Sequence, residues 1–202
     1  METHSSPTRS PTITGPPQGQ WRYADWEAIP EDGNRYEVID GVLYMTTAPT
    51  SFHQWILKRL ERFLGIPAED QNLAYTFFAP IGVLMPGCQP VQPDFVVVRT
   101  AQAHIIGQRI VGVPDLIIEV LSPHNQAYDQ YTKRQAYARA GLPEYAIINP
   151  MERTLAHYRL QATGSYAPPD IYPESATVTF DCLPTLTIAI ARLFEGAPDA
   201  HA

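Results

Sequence analysis

A mixed α/β fold (α+β), with helices against a central β-sheet, follows from three features of the sequence. Three strand-length apolar runs, QPDFVVV, VPDLIIEVLSP and LPEYAIINP, carry little surface alternation, as strands covered on both faces do. Two other stretches, 51–65 and 127–141, place apolar residues at helical spacing. The order helix, hairpin, helix, several strands, helix, strand and a β-rich end suits one sheet flanked by helices, with extra β-hairpins at both ends.

The bulk properties bound the function. The chain has 202 residues, 45% of them hydrophobic, enough for one domain with a substantial core. No apolar run approaches the ~18–20 residues of a membrane span, so no membrane association is expected. The opening METHSSPTRSPTITGPPQGQ is rich in Pro, Ser, Thr and Gly and lacks the charged-then-apolar order of a signal peptide. Residues 1–20 are therefore expected to be a disordered tail, 21–196 a single domain and 197–202 a second tail. Cys88 and Cys182 have no metal-ligand spacing and read as free thiols of a cytoplasmic protein. A formal net charge of -7 argues against broad electrostatic attraction to nucleic acid. It leaves room for a nuclease, because a divalent cation can supply local positive charge.

Taken in order, Tyr23–Ile29 suits one or two helical turns, and PEDGN is turn chemistry. Tyr36, Val38, Val42 and Tyr44 flank Asp40-Gly41, which predicts a two-residue hairpin with Glu37 in its first strand. Thr50 or Ser51 can cap the next helix. His53, Ile56, Leu57, Leu60 and Leu64 share one face of it, and Gly65 is expected to end it. AYTFFAPIGVLMPG predicts one or two strands and QPDFVVV a central one. RTAQAHIIGQRIVG reads as a connection with a helical turn. VPDLIIEVLSP is another buried strand. In the helix that follows, Asp129, Lys133, Ala136, Tyr137 and Ala140 form one stripe, and Gly141 closes it. LPEYAIINP, then RTLAHYR with a turn at Gly164-Ser165, then ATVTF and LPTLTIAIARLFEG make up the β-rich end with a last helical turn.

Within VPDLIIEVLSP stands one carboxylate, Glu119. An ionised carboxylate in a buried strand costs on the order of several kcal/mol unless a cation or hydrogen-bond donors meet it. Asp94 heads a similar strand, and Lys133 sits on the helix after Glu119. Asp94 and Glu119 can hold Mg²⁺ (or Mn²⁺), hard cations that prefer oxygen ligands, with the Val120 carbonyl completing the set. Such a cation lowers the pKa of the water it holds. Lys133 would orient that water or neutralise charge developing at phosphorus. Each residue also has a plain structural use. Asp94 can cap a turn, and Asp115, in the same Pro-Asp dipeptide, is the control. Lys133 can pair with Asp129 on a helix surface. Glu119 can serve a structural ion pair, Glu37 an edge strand, His53 a core hydrogen bond and Tyr137 packing.

RYEVIDGVLYM, APTSFHQWILKRL, QPDFVVV, VPDLIIEVLSP and YDQYTKRQAYARAGLPEYAIINP resemble, in that order, the Uma-two family of putative restriction endonucleases, within the PD-(D/E)XK nuclease superfamily. The likeness runs from about Tyr23 to Phe194. It implies a restriction-endonuclease-like fold and a metal site. The family's PD aspartate falls on Asp94 and its acidic strand position on Glu119. Leu121 stands where the plain superfamily motif has a lysine, and the resemblance implies that Lys133 from the next helix replaces it. It also implies supporting roles for Glu37, His53 and Gln54. Ala146 and Asn149 depart from the family's tryptophan and aspartate, and read as changes in packing and capping. The implied activity is Mg²⁺-dependent hydrolysis of DNA, with a homodimer needed to cut both strands. A binding or assembly module that keeps the fold without activity is the other class, and RNA or another phosphoester the other substrate.

Overall fold

The structure, a computed structural model, describes residues 13–46, 49–122 and 128–197. The capping candidates at 123–126, the side chain of Asp129 and the outer parts of both tails lie outside the described residues.

The chain opens with helix α1 (Tyr23–Glu27) and the antiparallel hairpin β1 (Arg35–Ile39) and β2 (Val42–Thr46). Asp40 and Gly41 have φ of 50° and 75°, the left-handed pair that a two-residue hairpin turn needs. A Cβ on Gly41 would lie 2.5 Å from the Gly19 carbonyl oxygen, so the position also has no room for a side chain. Residues 18–20, assigned to the tail by composition, dock here. Gly19 N–H donates to Gly41 O at 2.8 Å, and the Gln18 side chain accepts from Leu43 N–H at 2.7 Å.

Thr50 caps helix α2 (Ser51–Leu60) by accepting from His53 N–H. The helix does not stop at Gly65. It runs on through a π turn (Glu61–Gly65) into α3 (Ile66–Asp70), and Gly65 has an ordinary helical φ of -60°. Gly65 takes no left-handed turn here, and the space beside it holds the ends of the Glu61 and Thr76 side chains.

Six strands, β3 (Ala74–Phe78), β6 (Phe95–Arg99), β8 (Leu116–Val120), β9 (Glu144–Asn149), β10 (Thr154–Arg159) and β11 (Asp170–Tyr172), form the central sheet in the order β11-β10-β9-β8-β6-β3. Only β8 and β9 run parallel within it, joined by a crossover that includes a π turn (Tyr128–Lys133) and helix α4 (Arg134–Ala140). Gly141, at φ 87°, closes α4 in the left-handed conformation. A second, five-stranded sheet has the order β2-β1-β5-β4-β7, with β4 (Val83–Met85), β5 (Cys88–Val91) and β7 (Ile110–Val111). Strands β5 and β7 were not legible. Pro90 interrupts one and the other has two residues. A small ladder of β12 (Thr177–Val178) and β13 (Ile188–Ala189), then α5 (Ala191–Phe194), completes the chain. This is the expected mixed α+β architecture with hairpins at both ends.

The central strands feed two cores. Phe95, Val97, Leu116, Ile118 and Val120 pack against α2 and the C-terminal segment. Val96, Val98, Ile117 and Leu121 pack on the other face, with α4 and the five-stranded sheet. That two-sided burial explains the unpatterned apolar runs. Ala146 is buried in the first core, and Asn149 accepts from Met151 and Glu152 N–H, the packing and capping changes expected of them. Cys88 and Cys182 are free thiols, Cys88 pushed up to about 12 by burial. The control residue Asp115 binds Arg99 and Gln102, a purely local clamp.

Glu144, at the start of β9, is buried and accepts from Asp181 and Cys182 N–H at 2.8 and 2.7 Å. His157 Nε2 also lies 2.8 Å from the carboxylate. Burial alone would raise this carboxyl; His157 and the backbone donors more than offset it and lower it below its ordinary 4.5. A carboxyl lowered in the folded state stabilises fully above its unfolded value and loses that contribution as pH falls through the lowered one. Glu144→Gln is therefore expected to lower stability at pH 7 and to flatten the loss of stability below about pH 4.5, relative to wild type, in urea titrations across pH.

Candidate active site

The ladder between β6 and β8 pairs Phe95 with Ile118, which sets Asp94 beside Glu119 at one end of the central sheet. Each strand also binds the other's carboxylate. Asp94 N–H donates to Glu119 Oε2 at 3.3 Å, and Val120 N–H donates to Asp94 Oδ2 at 2.9 Å. His53, in the first turn of α2, reaches the same oxygen through Nε2 at 2.9 Å. Burial alone would raise the Asp94 carboxyl. The hydrogen bond from His53, the nearby Lys133 charge and the Val120 N–H hold it below the usual carboxylate range.

Lys133 enters from the crossover helix. Its Nζ lies 3.0 Å from Glu119 Oε1 and 3.3 Å from Glu37 Oε2 on β1. Tyr137, one turn later, donates to Glu119 Oε1 at 3.1 Å. Glu37 also accepts from Gln92 N–H at 2.6 Å. The cluster is nearly closed to solvent: Glu37 is 0% exposed, Glu119 1%, Lys133 4% and Asp94 6%. Among the described residues, the carboxylates of Glu37, Asp94 and Glu119 thus gather around Lys133 and His53.

Of the residues singled out by sequence, Asp94, Glu119, Lys133, Glu37, His53 and Tyr137 meet in this cluster, with the Val120 backbone against Asp94. Gln54 does not join it. It is exposed on the neighbouring face of α2, because only every third or fourth helical residue faces the sheet.

Tyr128 was missed. Its hydroxyl donates to Glu37 Oε2 at 3.1 Å, its ring lies 5.2 Å from Lys133 Nζ, and it packs on Tyr44 of β2 at 4.6 Å between centroids. The helical stripe excluded it, because a regular α-helix does not align residues five apart. The segment Tyr128–Lys133 is a π turn, which does bring them together. Burial first, then the negative charge of Glu37, raises the Tyr128 hydroxyl. Burial and Glu119 do the same for Tyr137. Both therefore stay protonated donors.

A mixed sheet with this buried acidic and lysine cluster at one end defines a restriction-endonuclease-like domain. The chain belongs to the Uma2 family, described as "Putative restriction endonuclease", which matches residues 22–191. Among solved structures it is similar to a putative nuclease belonging to DUF820 from Anabaena variabilis ATCC 29413, with a TM-score of 0.74. The two share 20% sequence identity over 86% of this chain and 97% of that one, a likeness of fold. No curated protein matches the sequence. No helix among the described residues is long and apolar enough to cross a membrane.

Removing the ammonium would leave buried carboxylates without their cation. Lys133→Met is expected to cost about 3–5 kcal/mol of stability, read from urea denaturation at pH 7, whereas a surface lysine change costs less than about 1 kcal/mol.

Proposed function

We propose that this protein is a Mg²⁺-dependent endonuclease that hydrolyses DNA phosphodiester bonds, with Asp94 and Glu119 as metal ligands and Lys133 as the cationic group, in the manner of the PD-(D/E)XK superfamily. A soluble, cytoplasmic homodimer is part of the proposal, since one small site cuts one strand at a time. The supporting observation is that Asp94, Glu119 and Lys133, from three separate elements, converge in one cluster with excess negative charge.

The donor set fits a hard divalent cation. Asp94 Oδ2 takes two hydrogen bonds, whereas Oδ1 takes none from the described residues and is left for a ligand. Among the described residues no three His, Cys, Asp or Glu side chains surround a common point. The proposed site therefore gives the cation two carboxylates, with waters in its other positions, as Mg²⁺ commonly has. The Val120 carbonyl is the further oxygen proposed for it.

A bound divalent cation would supply Lewis-acid stabilisation of the charge that builds on the phosphoryl oxygens. His53 and the Val120 N–H hold Asp94 in one orientation. Tyr137 and the Asp94 N–H hold Glu119. Glu37, with Tyr128 behind it, holds the Lys133 ammonium in place, where it would orient the attacking water and offset developing negative charge. The near-complete burial of the cluster favours the other reading, a binding or assembly module without activity, and one experiment separates the two.

Mn²⁺ titrated calorimetrically into wild type, Glu119→Gln and Lys133→Gln is to be paired with plasmid nicking on the same samples. Wild type is expected to bind and nick. Glu119→Gln is expected to lose both, and Lys133→Gln to keep binding while nicking about 10²–10³-fold more slowly. Wild type that binds no metal would overturn the catalytic reading and leave the fold as a scaffold.

A further inference from the structure

The helix that carries Lys133 has a second functional face. Arg134, the next residue, points away from the cluster into a groove of about 420 Å³ between α4 and the turn after β10. Tyr158 and Tyr166 form its floor, with centroids 6.0 Å apart, and Ser165 and Pro168 line the turn side. The floor is rigid. Tyr145 stacks beneath both rings at 5.9 and 6.1 Å, and Tyr166 donates to Leu142 O at 2.9 Å. Tyr145 in turn meets Tyr137 edge-on at 5.2 Å, so packed rings connect the groove to the Glu119 cluster.

Charge selects the occupant. Arg139, also lining the groove, is paired with Asp40. Arg134 has no carboxylate partner among the described residues. Its guanidinium lies 5.4 Å from the Tyr158 ring and 5.6 Å from the exposed Tyr131 ring. A half-buried cation held by aromatic faces, with no anion beside it among the described residues, is matched by a ligand with a flat ring and a negative edge. Pockets of a few hundred cubic ångströms suit such small groups. Aromatic floors with arginine at the rim bind unpaired bases through stacking and phosphates through charge.

We propose that this groove is a subsite for one unpaired nucleotide of a nucleic-acid substrate, the base against the Tyr166 side of the groove and its phosphate on Arg134. The proposal rests on the nuclease reading for the identity of the ligand. A base in the groove is unpaired, so single-stranded or frayed substrate is preferred over blunt duplex.

The test is fluorescence anisotropy of a fluorescein-labelled ten-nucleotide oligodeoxythymidylate against the full chain without metal, with a blunt duplex of equal length as comparison. Arg134→Gln removes the cation, and Ser165→Trp fills the groove from an exposed turn. Wild type is expected to prefer the single strand, and both variants to bind it about tenfold more weakly or worse at unchanged melting temperature. Equal binding by wild type and both variants, or no binding by wild type, would overturn the proposal. Plasmid nicking separates it from the reading it rests on. Nicking with no effect of either variant on binding overturns the groove alone, and groove binding by a wild type that never nicks overturns the nuclease alone.

Discussion

The buried ammonium of Lys133, between Glu37 and Glu119, is the contact on which the rest of the arrangement depends. Without it, carboxylates from two different sheets would face each other at low exposure, and burying like charges together is costly. With it, strand β1 of the five-stranded sheet, strand β8 of the central sheet and the crossover helix are tied at one point. Removing water strengthens that tie and also raises its cost. Tyr128, Tyr137 and the Gln92 N–H supply the remaining hydrogen bonds that make such a cluster tolerable.

Strand register does the positioning. Because β6 and β8 are antiparallel, the head of one lies beside the end of the other, and residues far apart in sequence become neighbours. Because β8 and β9 are parallel, the chain must cross over between them, and the crossover carries Lys133 back to the sheet. The apolar residues around Glu119 hold this register, since a slip of one residue would turn each buried side chain to the opposite face. Stability and site geometry therefore come from the same ladder.

Much of this was legible in the residues. The apolar runs at Phe95–Arg99, Leu116–Val120 and Glu144–Asn149 announced strands buried on both faces. The lone carboxylate within one of them announced a partner, and Lys133 at helical spacing supplied it. Asp40-Gly41 fixed the first hairpin. What stayed hidden depends on local departures from regular geometry. Gly65 looked like a stop because a glycine is a frequent helix terminator, yet here it keeps an ordinary helical φ of -60° and the helix runs on. Tyr128 fell off the 3.6-residue stripe because the helix begins with a π turn. Gln54 was carried along with His53, although neighbouring helical residues face different ways. Strands of two residues, or with a proline inside, leave no periodic signal.

The charge distribution joins the site to the groove beside it. With a net charge of -7, the protein as a whole repels a polyanion. The carboxylates of the cluster add to that repulsion at the place where, on the nuclease reading, a phosphate must come. Screening by salt shortens the reach of this field to roughly 10 Å, so local charges decide. Two local sources of positive charge answer it. On the proposed reading a cation at Asp94 and Glu119 would act at the scissile phosphate, and the guanidinium of Arg134, which has no carboxylate partner among the described residues, at a phosphate in the groove. Most arginines on this surface are spent on carboxylates such as Asp115, Glu27, Asp170 and Glu195. Arg134, without a carboxylate partner among the described residues, is where an acidic protein could still grip an anion, and on the groove proposal the tyrosines beside it would favour anions that bring a ring.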